Sequence, residues 1–225
     1  MEVYEAIYSR RDIRHFHGDR IADEVLARIL DAAHHAGSVG YMQPWSFVIV
    51  RSNELKRRIH DSHVIENARA AGNYSGERRA LYDSLKLAGI LEAPVGVAVT
   101  CDHSRGGPAV LGRHSMPETD LYSTCCAIQN LWLAARAEGI GVGWVSILDP
   151  EAVKTALMIP PSVVLVAYLC LGYPISFDDQ PMLERRGWRS RLPLSELVFE
   201  DRWNQKWLSP VAAQSQPGVI PQSPT

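Results

Sequence analysis

Apolar residues recur along this chain at two spacings, one typical of amphipathic helices and one typical of buried strands. The clearest helical stripe, in residues 22–37, consists of Val25, Leu26, Ile29, Leu30 and Ala33. A longer helical pattern in residues 121–139 ends at Gly139, which suits a helix C-terminus. Its predicted apolar face consists of Leu121, Cys125, Ile128, Leu131, Trp132 and Ala135. By the same criteria, we predict helices over residues 2–9, 22–37, 53–71, 77–92, 121–139 and 150–158.

Short runs rich in Val and Ile alternate with these helices and predict strands. The predicted strands cover residues 45–52, 94–102, 141–147 and 163–172. This order of elements predicts a mixed α and β domain in which a small sheet is buried between helices. The pattern does not determine the order of the strands.

Two segments do not fit either spacing. Residues 103–120 are rich in Gly and Pro and are too long for an ordinary connection, so we expect them to be functional or mobile. They are candidates, with the charged helices in residues 53–92, for a lid over a site. Residues 209–225 are rich in Pro, Gln and Ser and predict a disordered tail after a single domain over residues 1–208.

Composition and charge exclude several classes of function. The 225 residues carry a net charge of −2, which gives no reason to expect nucleic acid as a partner. The most apolar run, residues 163–172, is about half as long as a membrane helix needs to be. The N-terminal segment has no signal-peptide pattern, and the four cysteines include no C-x-x-C pair. We therefore expect reduced, mostly buried thiols in a cytoplasmic protein.

Several familiar motifs are incomplete. Residues 139–144, "GIGVGW", follow a helix and open a strand, the reverse of a dinucleotide-binding loop, so we interpret them as a helix stop and a tight strand entry. The histidine pairs His34/His35 and His60/His63 have no acidic residue at a ligand spacing, so we expect surface histidines and no metal. The chain has no G-x-S-x-G nucleophile motif.

A dense cluster of charges remains near the start, in "YSRRDIRHF", residues 8–16. Arg10, Arg11 and Arg14 surround Asp12. One interpretation is a solvated basic turn at a helix end. The other is a local anion site, because Arg guanidinium groups bind phosphate oxygens in pairs.

Two further stretches add candidate residues. Ser38, Met42 and Gln43 precede Pro44-Trp45 and mix polar with apolar groups that can line the edge of a flat ligand. Ser146 lies at the end of a predicted buried strand, where either a site residue or a satisfied hydroxyl can occur.

These stretches together resemble the FMN-dependent nitroreductase superfamily. The resemblance rests on R-R-x-x-R after the first helix, on "QPW" before the first strand, and on "GVGWVSI" and "LCLGYP" later in the chain. It implies an α+β nitroreductase-like fold with a small central, mostly antiparallel sheet surrounded by helices. It also implies a homodimer with FMN sites at the interface.

The departures from the superfamily pattern narrow the resemblance. Asp12 stands where Ser is usual, and the stretches "AHHAGSVGYMQPW" and "ERRGW" are similar to the flavin-fragmenting branch. That branch implies oxygen-dependent fragmentation of reduced FMN to 5,6-dimethylbenzimidazole, the lower ligand of vitamin B12, and erythrose 4-phosphate. FMN is then the substrate, O2 is consumed, and a separate NAD(P)H-flavin reductase supplies the reduced flavin.

The resemblance also implies roles for the candidate residues. The arginine cluster, with Ile13, would hold the phosphate and the pyrimidine side of the flavin. Asp12 and Ser146 would be catalytic, Asp12 as a base whose ionised form the neighbouring cations favour and Ser146 as a donor to a flavin or oxygen atom. Ser38, Met42 and Gln43 would contact the flavin. Arg189, in "RRGWRSR", would either bring another cation to the phosphate or belong to a solvated basic turn.

Two other functions stay open at this point. An NAD(P)H-dependent nitroreductase or flavin reductase would use the same fold, although a carboxylate at position 12 argues against it. A non-catalytic FMN-binding protein would use the same arginines and leave the flavin intact.

Overall fold

The computed structural model describes residues 1–207, which form two compact units. The first unit is Met1–Phe177, and the second begins at Asp178. The predicted disordered tail, residues 209–225, lies outside the described residues. The predicted single domain over residues 1–208 stays a prediction.

A four-stranded antiparallel sheet forms the centre of the first unit, and its strands lie side by side in the order Trp45–Val50, Val95–Cys101, Val164–Gly172 and Gly141–Val145. All the residues of the second strand are buried, which explains why its sequence is a continuous apolar run rather than an alternating one. The predicted small, mostly antiparallel sheet is therefore confirmed. The strands are β1 (Trp45–Val50), β2 (Val95–Cys101), β3 (Gly141–Val145) and β4 (Val164–Gly172).

Helices surround this sheet, as the sequence pattern predicts. In the first unit they are α1 (Val3–Ser9), α2 (Asp23–His34), α3 (Asn53–Ala71), α4 (Gly76–Asp83), α5 (Thr119–Ala137) and α6 (Pro150–Ala156). The second unit contains α7 (Met182–Arg185) and a 3-10 turn at Leu194–Glu196. None of the helices in residues 1–207 is long and apolar enough to cross a membrane.

The sheet is buried on both faces because alternate residues of its central strands belong to two different cores. Val97 and Leu169 pack with residues of α2 and α5 on one face. Ala98, Tyr168 and Cys170 pack with residues of α3 on the other. The sheet thus lies between two helical layers, and the predicted α+β class is confirmed.

The predicted helix over residues 77–92 is wrong beyond Asp83. The chain leaves the helix after α4 and runs through an irregular segment to β2. In this segment Gly89 passes so close to the N-terminal chain that a Cβ atom would lie 2.9 Å from the Arg14 carbonyl oxygen and 2.7 Å from the Phe16 ring. The irregular path therefore brings this segment against Arg14–Phe16.

Two expectations about side-chain burial also need correction. Cys101 and Cys170 are buried, but Cys125 and Cys126 are exposed on α5, so Cys125 does not belong to the apolar face predicted for that helix. His63 is buried rather than at the surface. All four thiols are free.

Candidate functional site

The arginine cluster lies in an extended segment that follows α1 and runs beside β3. The helix ends because Arg10 adopts an extended conformation while its N–H still donates to the Ala6 carbonyl oxygen. Beyond it, Asp12 forms a parallel bridge with Val142, and the Ile13 N–H donates to the Val142 carbonyl oxygen over 2.9 Å. The segment is half-buried, so it is not the solvated basic turn that the sequence left open.

Glycines in β3 make this close approach possible. A Cβ atom at Gly143 would overlap the Ile13 carbonyl oxygen, and one at Gly141 would lie 2.9 Å from the Ile13 side chain. The interpretation of "GIGVGW" as a helix stop is confirmed, since Gly139 has a φ of +74° directly after the end of α5. The sequence did not reveal that the next two glycines accommodate the arginine cluster.

The Asp12 carboxylate is held by two donors. Its Oδ1 accepts the backbone N–H of Trp144 over 3.0 Å, and its Oδ2 accepts a short charged hydrogen bond from Arg14 Nη2. The Arg14 side chain is only 12% exposed and that of Asp12 is 31% exposed, so this pair is largely shielded from solvent.

Burial affects the pKa of Asp12 more strongly than any of the neighbouring donors and cations does. It raises the pKa of Asp12 above its ordinary value, although Arg14, the Trp144 N–H and Arg10 each lower that pKa. The surrounding cations do favour the ionised form, as the sequence predicts, but burial outweighs them, and burial of a charge cannot be seen in a local run of charges. A carboxylate with a raised pKa is a better proton acceptor than an ordinary aspartate.

The arginines are fixed by residues of α1 and α5. The Arg10 guanidinium lies over the Trp132 ring, 4.8 Å from its centroid, and Arg11 donates to the carbonyl oxygens of Tyr8 and Arg10. Trp132 Nε1 in turn donates to the Arg11 carbonyl oxygen over 3.2 Å. Trp132 was predicted only as part of the apolar face of α5, and its proximity to the arginines could not be found in the sequence.

Arg14 has one nitrogen that its neighbours leave unsatisfied. Its Nε is buried and has no hydrogen-bond partner among the described residues. A buried N–H without a partner is costly, so this atom marks a place where a bound acceptor would complete the site.

Ser38, Met42 and Gln43 form a second group, on the turn between α2 and β1. The Gln43 N–H donates to Ser38 Oγ over 3.1 Å, and Met42 is buried. Gly40, Tyr41 and Gln43 have positive φ angles of +57°, +52° and +47°, so the turn is backbone-strained. We refer to Ser38–Gln43 as the strained turn.

A pocket of about 410 Å³ lies at this turn. Arg105 belongs to its wall, and the sequence analysis did not select this residue. The lining residues are Leu30, His34, Tyr41, Met42, Gln43, Trp45, Phe47 and Arg105.

Helix α5 separates the two groups. Near its start, Ser123 Oγ accepts the Val39 N–H of the strained turn over 3.2 Å. Near its end, Trp132 and Arg136 contact the segment of the arginine cluster, Arg136 through a 3.1 Å hydrogen bond to Ser9. Nine residues of helix correspond to about 13 Å along the axis, so one chain anchors the two groups well apart.

The last two candidate residues, Ser146 and Arg189, belong to neither of these groups. Ser146 is exposed and follows β3 directly, two residues after the Trp144 that binds Asp12. The next residue, Ile147, offers its carbonyl oxygen to His63 Nδ1 over 2.7 Å, and burial lowers the pKa of His63. Arg189 lies in the second unit and is exposed.

Comparison with known proteins gives a consistent result. The model described as "Nitroreductase family" matches residues 7–173. A 5,6-dimethylbenzimidazole synthase of Rhodospirillum rubrum is 48% identical over 82% of this chain and 87% of its own. A protein of the same name from Rhodobacter capsulatus is 43% identical over 84% of this chain and 91% of its own.

Solved structures share the fold at lower identity. The structure of oxidised iodotyrosine deiodinase bound to FMN and 3-iodo-L-tyrosine superposes with a TM-score of 0.67. The two sequences are 24% identical, and the match covers 79% of this chain and 92% of that one.

Proposed function

We propose, since the chain belongs to the nitroreductase family, that it fragments reduced FMN with O2 to give 5,6-dimethylbenzimidazole and erythrose 4-phosphate. Two relatives that are 43–48% identical over most of their length bear the name of that synthase. The observation that carries the proposal is the Asp12 carboxylate. It lies within the arginine cluster, held by Arg14 and the Trp144 N–H, at the position where the resemblance to the superfamily implies that Ser is usual.

The residues of the arginine cluster fit a flavin mononucleotide. The buried Nε of Arg14 lacks a partner among residues 1–207 and is suited to a phosphate or carbonyl oxygen of the ligand. The fixed cations of the arginine cluster would favour an electron-rich reduced flavin, because they are oriented before the ligand arrives. A bound reduced flavin would supply both the electrons for O2 and the benzenoid ring of the product.

Asp12 acts as the general base of this reaction. Burial raises the pKa of Asp12 and so brings it closer to the pH at which the enzyme works, which favours proton transfer to this carboxylate. The Trp144 N–H and Arg14 fix the direction of both oxygens, so the proton is taken at a defined place. We propose Ser146 as a hydroxyl donor to a flavin or oxygen atom, since it is exposed at the end of the strand that binds Asp12.

A homodimer would bring the two groups of the site together. The strained turn and the arginine cluster are anchored about 13 Å apart along α5 of one chain. The strained turn of one copy and the arginine cluster of another can complete one flavin site at an interface. Large apolar side chains are exposed on α1 and α5, as a subunit interface requires: Val3, Tyr4, Ile7, Tyr8 and Tyr122.

The proposal includes a partner and a compartment. Reduced FMN would come from a separate NAD(P)H-flavin reductase, because a carboxylate beside the flavin disfavours ordinary hydride exchange at this site. A reductase and its flavin product are expected in the cytoplasm. The roles of Ile13 in flavin contact and of Arg189 in phosphate binding stay predictions.

Two incubations test the proposal against its rivals. The protein is mixed with chemically reduced FMN under air, and the products are identified by mass spectrometry. It is mixed separately with NADPH and FMN, and NADPH oxidation is followed. Dimethylbenzimidazole in the first supports the synthase, rapid NADPH oxidation in the second favours a nitroreductase, and intact FMN alone indicates a binding protein.

A further inference from the structure

Arg105 makes three hydrogen bonds to the chain just beyond and within the strained turn. Its Nη1 donates to the Gln43 carbonyl oxygen over 3.2 Å and to the Trp45 carbonyl oxygen over 2.6 Å. Its Nη2 donates to Ser46 Oγ over 2.9 Å. The guanidinium therefore holds the backbone on both sides of Pro44.

The chain around Arg105 packs against the same turn. The Asp102 N–H donates to the Pro44 carbonyl oxygen over 2.9 Å. A Cβ atom at Gly40 would lie 2.6 Å from the Leu111 carbonyl oxygen, and one at Gly106 would lie 3.2 Å from the Met42 Cβ. These two glycines let the segment 102–112 lie directly against the strained turn.

This segment is also tied to its own surroundings. Arg113 donates to the carbonyl oxygens of His103 and Gly107 over 2.7 and 3.1 Å. His103 Nδ1 lies 2.5 Å from the carboxylate of Asp120, a buried residue in the first turn of α5. Residues 103–113 are thus braced against the turn, and the prediction that residues 103–120 form a lid stays a prediction.

Non-glycine residues with positive φ angles, here Tyr41 and Gln43, persist in that conformation only where their surroundings hold them. The segment 102–112 supplies that restraint, and Arg105 is its most direct contribution. We infer that Arg105 is a positioning residue. It fixes the strained turn so that Met42 and Gln43 present one preformed surface to the flavin.

The inference deepens the proposed function and rests on it for the identity of the ligand. The fork geometry matters more than the charge, because two nitrogens of one planar group serve three acceptors at fixed directions. A lysine at this position keeps the charge and loses the fork. Lysine is therefore expected to replace Arg105 poorly.

The test uses the full-length variants R105K and R105Q, with R57Q as a control at an exposed position on α3. FMN affinity is measured by quenching of FMN fluorescence, and hydrogen exchange of the backbone is followed by mass spectrometry. Both Arg105 variants are expected to weaken FMN binding on the order of 10- to 100-fold, since a displaced binding group costs that much. Exchange should increase in residues 39–46 and stay unchanged in β2 and β4.

Two results would overturn the inference: FMN affinity equal to that of the wild type in either Arg105 variant, or faster exchange spread over the central strands. Failure of the proposed function has a different signature. Wild-type protein would then bind FMN more tightly than the Arg105 variants but form no dimethylbenzimidazole from reduced FMN.

Discussion

Replacement of Asp12 by Asn separates proton transfer from flavin binding. The amide has nearly the shape of the carboxylate, so its oxygen can still accept the Trp144 N–H, although its NH2 group cannot accept the hydrogen bond from Arg14. The amide cannot take a proton at the pH of the reaction. Loss of a general base lowers a rate by roughly 10²- to 10⁴-fold, which corresponds to about 3–5 kcal/mol in the activation barrier.

The same substitution has an expected effect on stability. The pKa of Asp12 is raised by burial, so the folded protein disfavours the ionised carboxylate relative to the neutral one. The stability contributed by the protonated form is fully present below the unfolded pKa and is lost as pH rises through the higher pKa of the folded state. Asp12→Asn mimics the protonated form, so at about pH 7 its free energy of unfolding should equal or exceed that of the wild type, and this advantage should vanish near about pH 4.

Three measurements test this reasoning. Product formation from reduced FMN is followed by mass spectrometry, FMN affinity by fluorescence, and stability by urea unfolding at the two pH values. Product formation by Asp12→Asn at the wild-type rate would refute the assignment of the base. A clear loss of stability at neutral pH, greatest where Asp12 is ionised, would refute the statement that burial outweighs Arg14.

Other predictions concern the supports of the site. Gly143→Ala places a methyl group against the Ile13 carbonyl oxygen, so it should destabilise the protein by about 1–3 kcal/mol in urea unfolding and weaken FMN binding. The matched control is Gly37→Ala, where no atom lies within 4 Å of the added methyl group. The control should change neither stability nor FMN binding. A Gly143→Ala protein with wild-type stability would show that the segment around Ile13 and strand β3 are not in tight contact. Burial lowers the pKa of His63, so the free energy of unfolding should fall as pH decreases below about 6.5, where the unfolded chain takes up a proton first. Urea unfolding across this range should show a weaker dependence in His63→Gln, and an unchanged dependence would contradict the assignment.

Much of the fold could be predicted because periodicity reports burial directly. The stripe of α2 and the continuous apolar run of β4 predicted those elements within a few residues. The helix predicted over residues 77–92 failed because Gly89 and its neighbours follow a path set by contact with Arg14 and Phe16. Contacts between residues so distant in the chain leave no local pattern.

The candidate site, like the fold, could be predicted from the sequence only in part. The sequence selected the arginine cluster and the residues of the strained turn by their chemistry and by a family resemblance. It did not find Trp132, which binds both Arg10 and Arg11, or Arg105, which holds the turn. It predicted that the cations lower the pKa of Asp12 but not that burial raises it by more, because the cost of burial depends on β3 and the other surroundings of that carboxylate.

The central claim is that the flavin itself becomes the product. Reduced FMN labelled with ¹³C at the first ribityl carbon tests it most directly, since one ribityl carbon is expected in the benzimidazole ring. Incubation with wild-type protein under air should give dimethylbenzimidazole that carries the label. Recovery of the label only in intact FMN, or dimethylbenzimidazole without it, would contradict the account.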